Sequence, residues 1–399
     1  MKKIPFSPPD ITEAEIHEVS EALLSGWITT GPRTKDFEKK IAAWCGNSTA
    51  VCLNSATACL EMTLRVLGVG PGDEVITSAY TYTASASPVA HVGAKLVLVD
   101  TARDSFQMDY DQLAKAITPR TKVIIPVDVG GILCDYDRVY RAVKESGYRF
   151  EPSNEIQEKI GRIAVVADGA HSFGATHGGK PSGSFADFTT FSFHAVKNLT
   201  TAEGGAVTWR DDLGLDNEAI YKQFMLLSLH GQSKDALAKT RLGAWEYDVV
   251  APLYKCNMTD VVAAIGLAQL RRYPEMLARR RALVRLYDEL LAGSGVLCAP
   301  HLTGDHVSSC HLYLARLKGR TMAERNAVIE AMAADGIATN VHYKPLPLLT
   351  AYKNMGFDIN NFPNARAQFE NEITLPLYST LTEDDVHLVC ERLLAHLRG

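Results

Sequence analysis

The stretch FSFHAVKNLTTAEGG, residues 191–205, decides how the rest of the chain is interpreted. It overlaps a segment, 187–193, whose apolar and β-branched residues predict a strand. Lys197 is the only lysine or arginine in the stretch, and small residues lie on both sides of it. A lysine in such a place can hold an aldehyde cofactor as a Schiff base, whereas a single lysine taken alone is more often a solvated surface residue.

Two further features of this stretch suit a cofactor site. Ser192 offers a hydroxyl at the end of the predicted strand, and Gly204 and Gly205 let the backbone turn tightly or approach a ligand closely. The run SFHAVKNLTTAEGGAV, residues 192–207, resembles the lysine segment of the DegT/StrS family of pyridoxal-phosphate (PLP)-dependent sugar aminotransferases. The resemblance implies PLP as the cofactor and a fold-type-I, aspartate-aminotransferase-like fold.

Predicted strands and helices alternate through the first half of the chain. Strands are predicted at 50–53, 74–78, 95–99, 122–127 and 163–167, of which the last is apolar and β-branched, and predicted helices lie between several of them. This order favours an α/β fold whose large domain has a mostly parallel central sheet covered by helices. In such sheets ligands bind at the carboxyl ends of the strands. The polar segment 149–159, which contains Pro152, is predicted to be a surface excursion.

The length of the chain bears on its domain organisation. With 399 residues the chain can form two domains, each with its own core. The segment 259–291 has helical apolar spacing and contains Pro274, where we expect a bend or break, and we interpret it as the bridge to a second unit. We therefore predict a large PLP-binding domain with an N-terminal helical segment at 1–265 and a smaller C-terminal α+β domain at 266–399.

Composition and charge exclude several classes of protein. The 46% hydrophobic and 22% charged residues are ordinary for a soluble globular protein, and a net charge of −5 gives no general attraction to nucleic acid. The start of the chain has no secretory pattern, and no window approaches about 18 uninterrupted apolar residues, so we expect no membrane partner. Eight scattered cysteines without a CxxC pair are typical of a reduced, cytoplasmic protein.

Three predicted strand ends carry residues that could contact a cofactor. After 50–53, Thr57 and Ala58 lie at a helix start, which can bind an anion or can simply be an ordinary N-cap. Tyr82 follows 74–78 and could lie flat on a planar ring or pack into the core. Asp168 follows 163–167 and could cap a helix or pair with a ring nitrogen.

The resemblance assigns roles to these positions. It implies that Lys197 and Asp168 are catalytic: Lys197 holds PLP and moves a proton, while Asp168 keeps the pyridine nitrogen protonated so that the ring accepts electrons. It also implies that Thr57 and Ala58 hold the phosphate and that Tyr82 covers the ring. No metal is expected. The implied cofactor-binding residues are Thr57, Ala58, Tyr82, Asp168, His171, Ser192, Lys197 and Asn257.

The family also suggests substrate contacts and a partner. Ile28 and Thr29 match a segment at the mouth of the site, and His342 and Tyr343, in a predicted strand at 338–343, are expected to contact the substrate. Asn257 matches an asparagine that reaches the PLP phosphate of the neighbouring subunit, so a homodimer with shared active sites is expected. The polar loop after His230 would face the diphosphate of a nucleotide-sugar through Lys234, Lys239 and Arg241.

The function implied by the resemblance is transfer of an amino group from L-glutamate to a nucleotide-linked keto-sugar in polysaccharide biosynthesis. A UDP-4-keto-6-deoxy-hexosamine is the leading candidate, while dTDP- or GDP-sugars, transfer at C3 and an aminocyclitol precursor stay open. One alternative is a PLP-dependent sugar dehydratase, which Lys197 disfavours because such family members carry a histidine there. The other is a PLP-binding regulator without catalysis.

Overall fold

The computed structural model describes residues 2–233 and 246–398. The helices are α1 Glu13–Leu24, α2 Pro32–Trp44, α3 Ala56–Val66, α4 Ser87–His91, α5 Tyr110–Ala116, α6 Tyr136–Glu145, α7 Glu155–Ile160, α8 Asn217–Ser228, α9 Asp260–Leu291, α10 Met322–Ala334, α11 Thr350–Asn354, α12 Pro363–Asn371 and α13 Glu383–Arg398. The strands are β1 Ala50–Leu53, β2 Glu74–Ser78, β3 Lys95–Val99, β4 Thr121–Ile125, β5 Ala164–Asp168, β6 Thr176–His177, β7 Lys180–Pro181, β8 Phe188–Ser192, β9 Gly205–Trp209, β10 Val296–Cys298, β11 Leu302–Thr303, β12 His306–Val307, β13 Tyr313–Leu317 and β14 Glu372–Leu375.

The central sheet has the strand order β1-β9-β8-β5-β4-β2-β3. The pairs β2/β3, β2/β4, β4/β5 and β5/β8 are parallel, whereas β9 runs antiparallel to both of its neighbours, β1 and β8. Helices lie in the connections between β2, β3, β4 and β5, whereas the connection from β5 to its parallel neighbour β8 carries the short strands β6 and β7. The prediction of an α/β fold with a mostly parallel central sheet is therefore confirmed.

Both faces of the sheet are covered by helices, as β5 illustrates. Ala164 and Val166 point into a core shared with α3 and α8, while Val165 and Ala167 point into a core shared with α5 and α6. Because successive side chains of a strand face opposite sides, a strand buried on both faces is apolar throughout. This explains why the segment is continuously apolar until its last residue, Asp168.

The last third of the chain forms a second layered unit. Its three-stranded sheet, β10-β13-β14, packs with α9, α10 and α13 around a core that also contains Ile4 from the chain start. α9 is continuous through Pro274, so the helix does not break there, and a bend at this proline stays a prediction. The proposed division at 265/266 falls inside this helix and stays a prediction. Among the described helices, none combines the length and the apolar character needed to cross a bilayer.

A small four-stranded sheet connects two distant parts of the chain. Its strand order is β11-β12-β6-β7, and all three pairings are antiparallel. β6 and β7 come from residues 176–181, before α9, and β11 and β12 come from residues 302–307, after it. The sheet therefore ties the central-sheet part of the chain to its last third.

Two segments differ from the predictions. The stretch 149–159 is not only a surface excursion, because α7 begins in it and Gln157 is buried, donating from Nε2 to the Leu67 carbonyl. The stretch 338–343 forms no strand; it makes one bridge, Asn340 to Thr374. The backbone leaves the sheet there because the N–H of His342 donates to the Glu372 carboxylate at 2.9 Å rather than to a strand.

Candidate active site

A cavity of about 370 Å³ lies at the carboxyl edge of the parallel strands. This volume falls within the range of small-molecule sites. The end of β5, the end of β8 and the turn after β2 all contribute to its wall. It brings together most of the residues predicted from the sequence: Thr57, Tyr82, Asp168, His171, Ser192, Lys197, His342 and Tyr343.

Lys197 follows β8 in a tight turn, in which its N–H donates to the His194 carbonyl at 2.9 Å. The next turn is held by the Thr201 N–H, which donates to the Phe193 carbonyl at 2.8 Å. Burial lowers the pKa of Lys197 from 10.5 to about 8, and the charge of Asp168 opposes that shift. A large fraction of this amine is therefore neutral just above neutral pH, as a nucleophile requires.

Asp168 ends β5 and is 5% exposed. Its Oδ2 accepts a hydrogen bond from the Ser85 hydroxyl at 2.5 Å, and its Oδ1 accepts one from the Ala170 N–H at 3.1 Å. Burial raises the pKa of this carboxyl group, while the two hydrogen bonds and the charge of Lys197 oppose the rise. The carboxylate is thus fixed in orientation, and it lines the same cavity as the Lys197 amine.

His171 and Tyr343 form a hydrogen-bonded pair on the cavity wall. The His171 ring receives the Gly130 N–H at Nδ1, 3.1 Å away, and its Nε2 lies 2.9 Å from the Tyr343 hydroxyl. Burial is the main cause that lowers the pKa of His171, and the charge of Lys197 adds to it. The ring of His311 lies 4.5 Å from that of His171, and burial lowers the pKa of His311 as well.

The start of α3 is the place where the sequence predicts either an anion site or an ordinary N-cap. Ser55 caps the helix and its hydroxyl accepts the Ala58 N–H at 3.1 Å, so the Ala58 amide is already engaged and Ala58 does not line the cavity. The remaining first-turn amides have no partner within the helix. A Cβ on Gly205 would lie 2.4 Å from the Ala56 nitrogen, so β9 approaches this helix start as closely as only glycine permits.

Tyr82 and His342 line the cavity in different ways. Tyr82 is 60% exposed, and its ring lies 5.9 Å from that of Tyr343. His342 stacks on Phe6 with ring centroids 5.5 Å apart, and its Nδ1 lies 2.9 Å from the Thr374 hydroxyl. Burial lowers the pKa of His342 to about 3. Their roles toward a cofactor or substrate stay predictions.

Besides Ala58, three predicted residues lie outside this cavity. Ile28 is 54% exposed, and the Thr29 carbonyl accepts the Asp260 N–H at 3.0 Å. Asn257 is buried beside β1, where its Nδ2 donates to the Thr30 hydroxyl and its Oδ1 accepts from Lys255. Their predicted roles depend on a substrate or a second subunit and stay predictions. Lys234, Lys239 and Arg241 lie outside the described residues.

The structure adds site residues that the sequence analysis missed. Ser85 orients Asp168, and Gly130 fixes the His171 ring. Glu372 supports the His342 backbone, and burial raises the pKa of Glu372 to about 8. Ser85 follows β2 and Gly130 follows β4, so the rule that ligands bind at strand ends could have marked both.

The residues around the cavity fit PLP. A buried carboxylate suits a pyridine nitrogen, an amine of lowered pKa suits an aldehyde, and a helix start approached closely by Gly205 suits a phosphate. On a mostly parallel, doubly covered sheet, this set of groups defines a PLP-dependent transferase of fold type I.

The comparisons with known proteins identify the family. A model of the DegT/DnrJ/EryC1/StrS aminotransferase family matches residues 9–394, and the chain belongs to this family. It is 36% identical to the spore coat polysaccharide biosynthesis protein SpsC of Bacillus subtilis (strain 168) over 400 residues, which cover 99% of this chain and 97% of that protein. The chain is therefore a PLP-dependent sugar aminotransferase.

Solved structures agree with this assignment. A Streptococcus pneumoniae protein described as a sugar aminotransferase, Spr1654, superposes in its PMP form with a TM-score of 0.96 at 57% identity, covering 99% of both chains. Its PLP form gives the same TM-score at 55% identity and covers 100% of this chain and 99% of that one. PseC of Helicobacter pylori, an aminotransferase involved in the biosynthesis of pseudoaminic acid, superposes with a TM-score of 0.86 at 26% identity, over the full length of both.

Proposed function

We propose that this aminotransferase moves an amino group from L-glutamate to a nucleotide-linked keto-sugar, with a UDP-4-keto-6-deoxy-hexosamine as the leading substrate. The observation that carries the proposal is the amine of Lys197, with its pKa lowered to about 8, in one cavity with the buried Asp168. The names of two relatives, a spore coat polysaccharide biosynthesis protein and an aminotransferase of pseudoaminic acid biosynthesis, support a sugar acceptor.

When bound, PLP supplies a ring that accepts electrons as a proton leaves the carbon that bears the amino group. Lys197 would hold the cofactor through its Nζ. Once released, the same amine would take up and return the proton of the substrate carbon, and its lowered pKa suits both tasks near neutral pH. Asp168 would hold a proton on the ring nitrogen, and Ser85 would keep that carboxylate in place.

The phosphate would be bound at the start of α3. Thr57 and Ser192 line the cavity there, and Ala58 lies in the same first turn. Asn257 of the partner subunit would complete the phosphate site, which makes the homodimer necessary for activity. Tyr82 and His171 would flank the cofactor ring, because both line the same cavity as Lys197 and Asp168.

The substrate would enter over His342 and Tyr343, which both line the cavity. Ile28 and Thr29 would contribute from the mouth, and Lys234, Lys239 and Arg241 would contact the diphosphate. Because the chain carries a net charge of −5, an anionic nucleotide must be held by local groups of this kind.

The direct test is a turnover screen. Purified, PLP-loaded protein would be incubated with L-glutamate and a panel of UDP-, dTDP- and GDP-linked keto-sugars, and the products would be read by mass spectrometry. We expect a mass change that corresponds to replacement of a keto oxygen by an amine, together with 2-oxoglutarate. Product that lacks a hydroxyl but carries no new nitrogen would instead favour the dehydratase. Turnover of none of the sugars, with glutamate also unreactive, would favour the regulator.

The shared site has its own test. Lys197→Ala and Asn257→Ala variants would be inactive alone, but a mixed dimer would contain one intact site made from Lys197 of one subunit and Asn257 of the other. Denaturing and refolding the two variants together should therefore restore activity to about one quarter of wild type. Random pairing makes half of the dimers mixed, and one of the two sites in each mixed dimer is intact. A mixture as inactive as its components would contradict a shared site.

A further inference from the structure

The four-stranded sheet β11-β12-β6-β7 carries a group of metal-ligating side chains outside the active-site cavity. We propose that His177, Asp305 and His306 form a transition-metal site that takes Zn²⁺. One ligand atom from each residue lies within 4.8 Å of the other two. None of the three lines the cavity that contains Lys197. The site is therefore separate from the aminotransferase chemistry.

The register of the sheet places the two histidines together. His177 of β6 lies directly opposite His306 of β12, and residues opposite each other in an antiparallel pair project from the same face. Their ring centroids are only 3.6 Å apart. Two imidazoles this close can both bind one cation through a ring nitrogen.

Asp305 completes the set from the turn between β11 and β12. Its Oδ1 lies 3.6 Å from the His177 Nδ1, beyond hydrogen-bonding distance. His177 Nδ1 is buried and has no hydrogen-bond partner. Buried polar atoms are nearly always paired, so an unpaired ring nitrogen near a carboxylate and a second imidazole is placed to bind a metal ion.

The donor types favour zinc. Two imidazoles and one carboxylate are ligands that Zn²⁺ accepts in tetrahedral geometry, with a water in the fourth position. In a tetrahedral site, zinc–ligand bonds of about 2.0 Å place the ligand atoms about 3.3 Å from one another. The three side chains must therefore move closer together when they bind the ion. The side chain of Asp305 is 65% exposed and can move to meet this requirement.

One neighbouring cation opposes binding. Lys180 of β7 lies opposite His177 on the same face of the sheet. Its side chain is exposed, so its charge is largely screened by solvent. Lys180 should weaken the site moderately, and Lys180→Ala should tighten zinc binding.

A bound ion would join distant parts of the chain. His177 lies before α9, whereas Asp305 and His306 lie after it. Because the three ligands are brought together only in the folded chain, the ion would bind the native state in preference to the unfolded state and stabilise it by mass action. The predicted readout is therefore a rise in melting temperature with zinc, independent of any sugar substrate.

The experiment uses the PLP-loaded protein with ZnCl₂ as the probe. Equilibrium dialysis with metal analysis would give the stoichiometry and affinity, and thermal denaturation would be followed with and without zinc. We expect one Zn²⁺ per chain and a higher melting temperature. His177→Ala and His306→Ala should each weaken binding by about 10-fold or more and remove the thermal shift.

Controls separate this site from other histidines and from misfolding. His17→Ala removes an exposed histidine of α1 and should bind zinc as wild type does. Asp305→Asn leaves both strands intact and should also weaken binding, which covers the case in which a histidine variant fails to fold. The proposal is overturned if the wild type binds no zinc, or if the His177→Ala/His306→Ala double variant binds it with unchanged affinity. Aminotransferase activity without zinc should be the same in wild type and His306→Ala.

Discussion

His171 donates its Nε2 proton to the hydroxyl of Tyr343 across 2.9 Å. The direction of this hydrogen bond follows from Gly130, whose N–H can only donate. The Nδ1 of His171 accepts that N–H and therefore carries a lone pair. The proton of the neutral ring is then on Nε2. The lowered pKa of His171 keeps the ring neutral. The Tyr343 hydroxyl thus accepts from His171, and its own proton is available to a ligand in the cavity.

This pairing predicts the behaviour of Tyr343→Phe. The variant leaves the buried His171 N–H without an acceptor, so the free energy of unfolding should fall by about 1–3 kcal/mol, measured by urea denaturation. Loss of the donated proton should also lower kcat/KM. Tyr82→Phe is the matched control, because Tyr82 is 60% exposed and its change should leave stability unaltered. A Tyr343→Phe protein as stable as wild type would show that His171 finds another acceptor.

The pKa of Lys197 predicts how cofactor loading depends on pH. Because burial lowers this pKa from 10.5 to about 8, the neutral amine increases as pH rises from 7 to 9, and the rate at which apoenzyme takes up PLP should rise with a midpoint near pH 8. Visible absorbance of the lysine-bound cofactor gives the rate. Since Asp168 raises the pKa of Lys197, Asp168→Asn should move the midpoint to lower pH.

Two lysine variants control this experiment. Lys197→Ala should show no such absorbance at any pH, and Lys344→Ala, which removes an exposed lysine of the neighbouring segment, should match the wild type. A loading rate that does not change between pH 7 and 9 would contradict the lowered pKa.

Ser85 acts through Asp168 as a positioning residue. The hydrogen bond from Ser85 to Oδ2 lowers the pKa of Asp168. Ser85→Ala removes this hydrogen bond, so the pKa of Asp168 should rise further. We expect kcat to fall about 10-fold, with the acid limb of the pH–rate profile displaced to higher pH. Ser85→Thr keeps the hydroxyl and should restore both. A fall in kcat without displacement of the profile would indicate a purely structural effect.

The close approach of Gly205 to the start of α3 predicts that a larger residue there would disturb the proposed phosphate site. In Gly205→Ala the new Cβ would lie 2.4 Å from the Ala56 nitrogen, so β9 must move away from the start of α3. The stability should fall by about 1–3 kcal/mol, and PLP should bind more weakly in fluorescence titrations. Gly70→Ala is the control, because its nearest neighbour would be 4.0 Å away. Equal PLP affinity in both variants would show that Gly205 does not contribute to phosphate binding.

Local sequence patterns predicted much of this fold and site. Strand β5 is short and apolar up to its last residue, so both its position and the carboxylate at its end, Asp168, could be inferred from the residues themselves. The choice of Tyr82 among the aromatic residues after β2 depends on the family resemblance. Lys197 was found because its neighbours resemble a known family. These inferences depend on contacts close in sequence or on one edge of the sheet.

The rest depends on contacts between distant segments. The Ser85 hydroxyl reaches Asp168 only because β2 and β5 flank β4 in the sheet. The stretch 338–343 has the composition of a strand, but the buried Glu372 takes the N–H that a strand would have used. The predicted role of Asn257 involves a second chain, and no pattern within one chain specifies that contact.

Ile4, near the start of the chain, fills a place in the core formed by the last third of the chain. It is 2% exposed, bridges to Ile337, and donates its N–H to the Gly336 carbonyl at 2.9 Å. A recombinant fragment beginning at residue 266 would therefore have a gap where this side chain belongs, and would expose apolar surface to water. Supplying the missing segment as a short synthetic peptide offers a route to repair such a fragment.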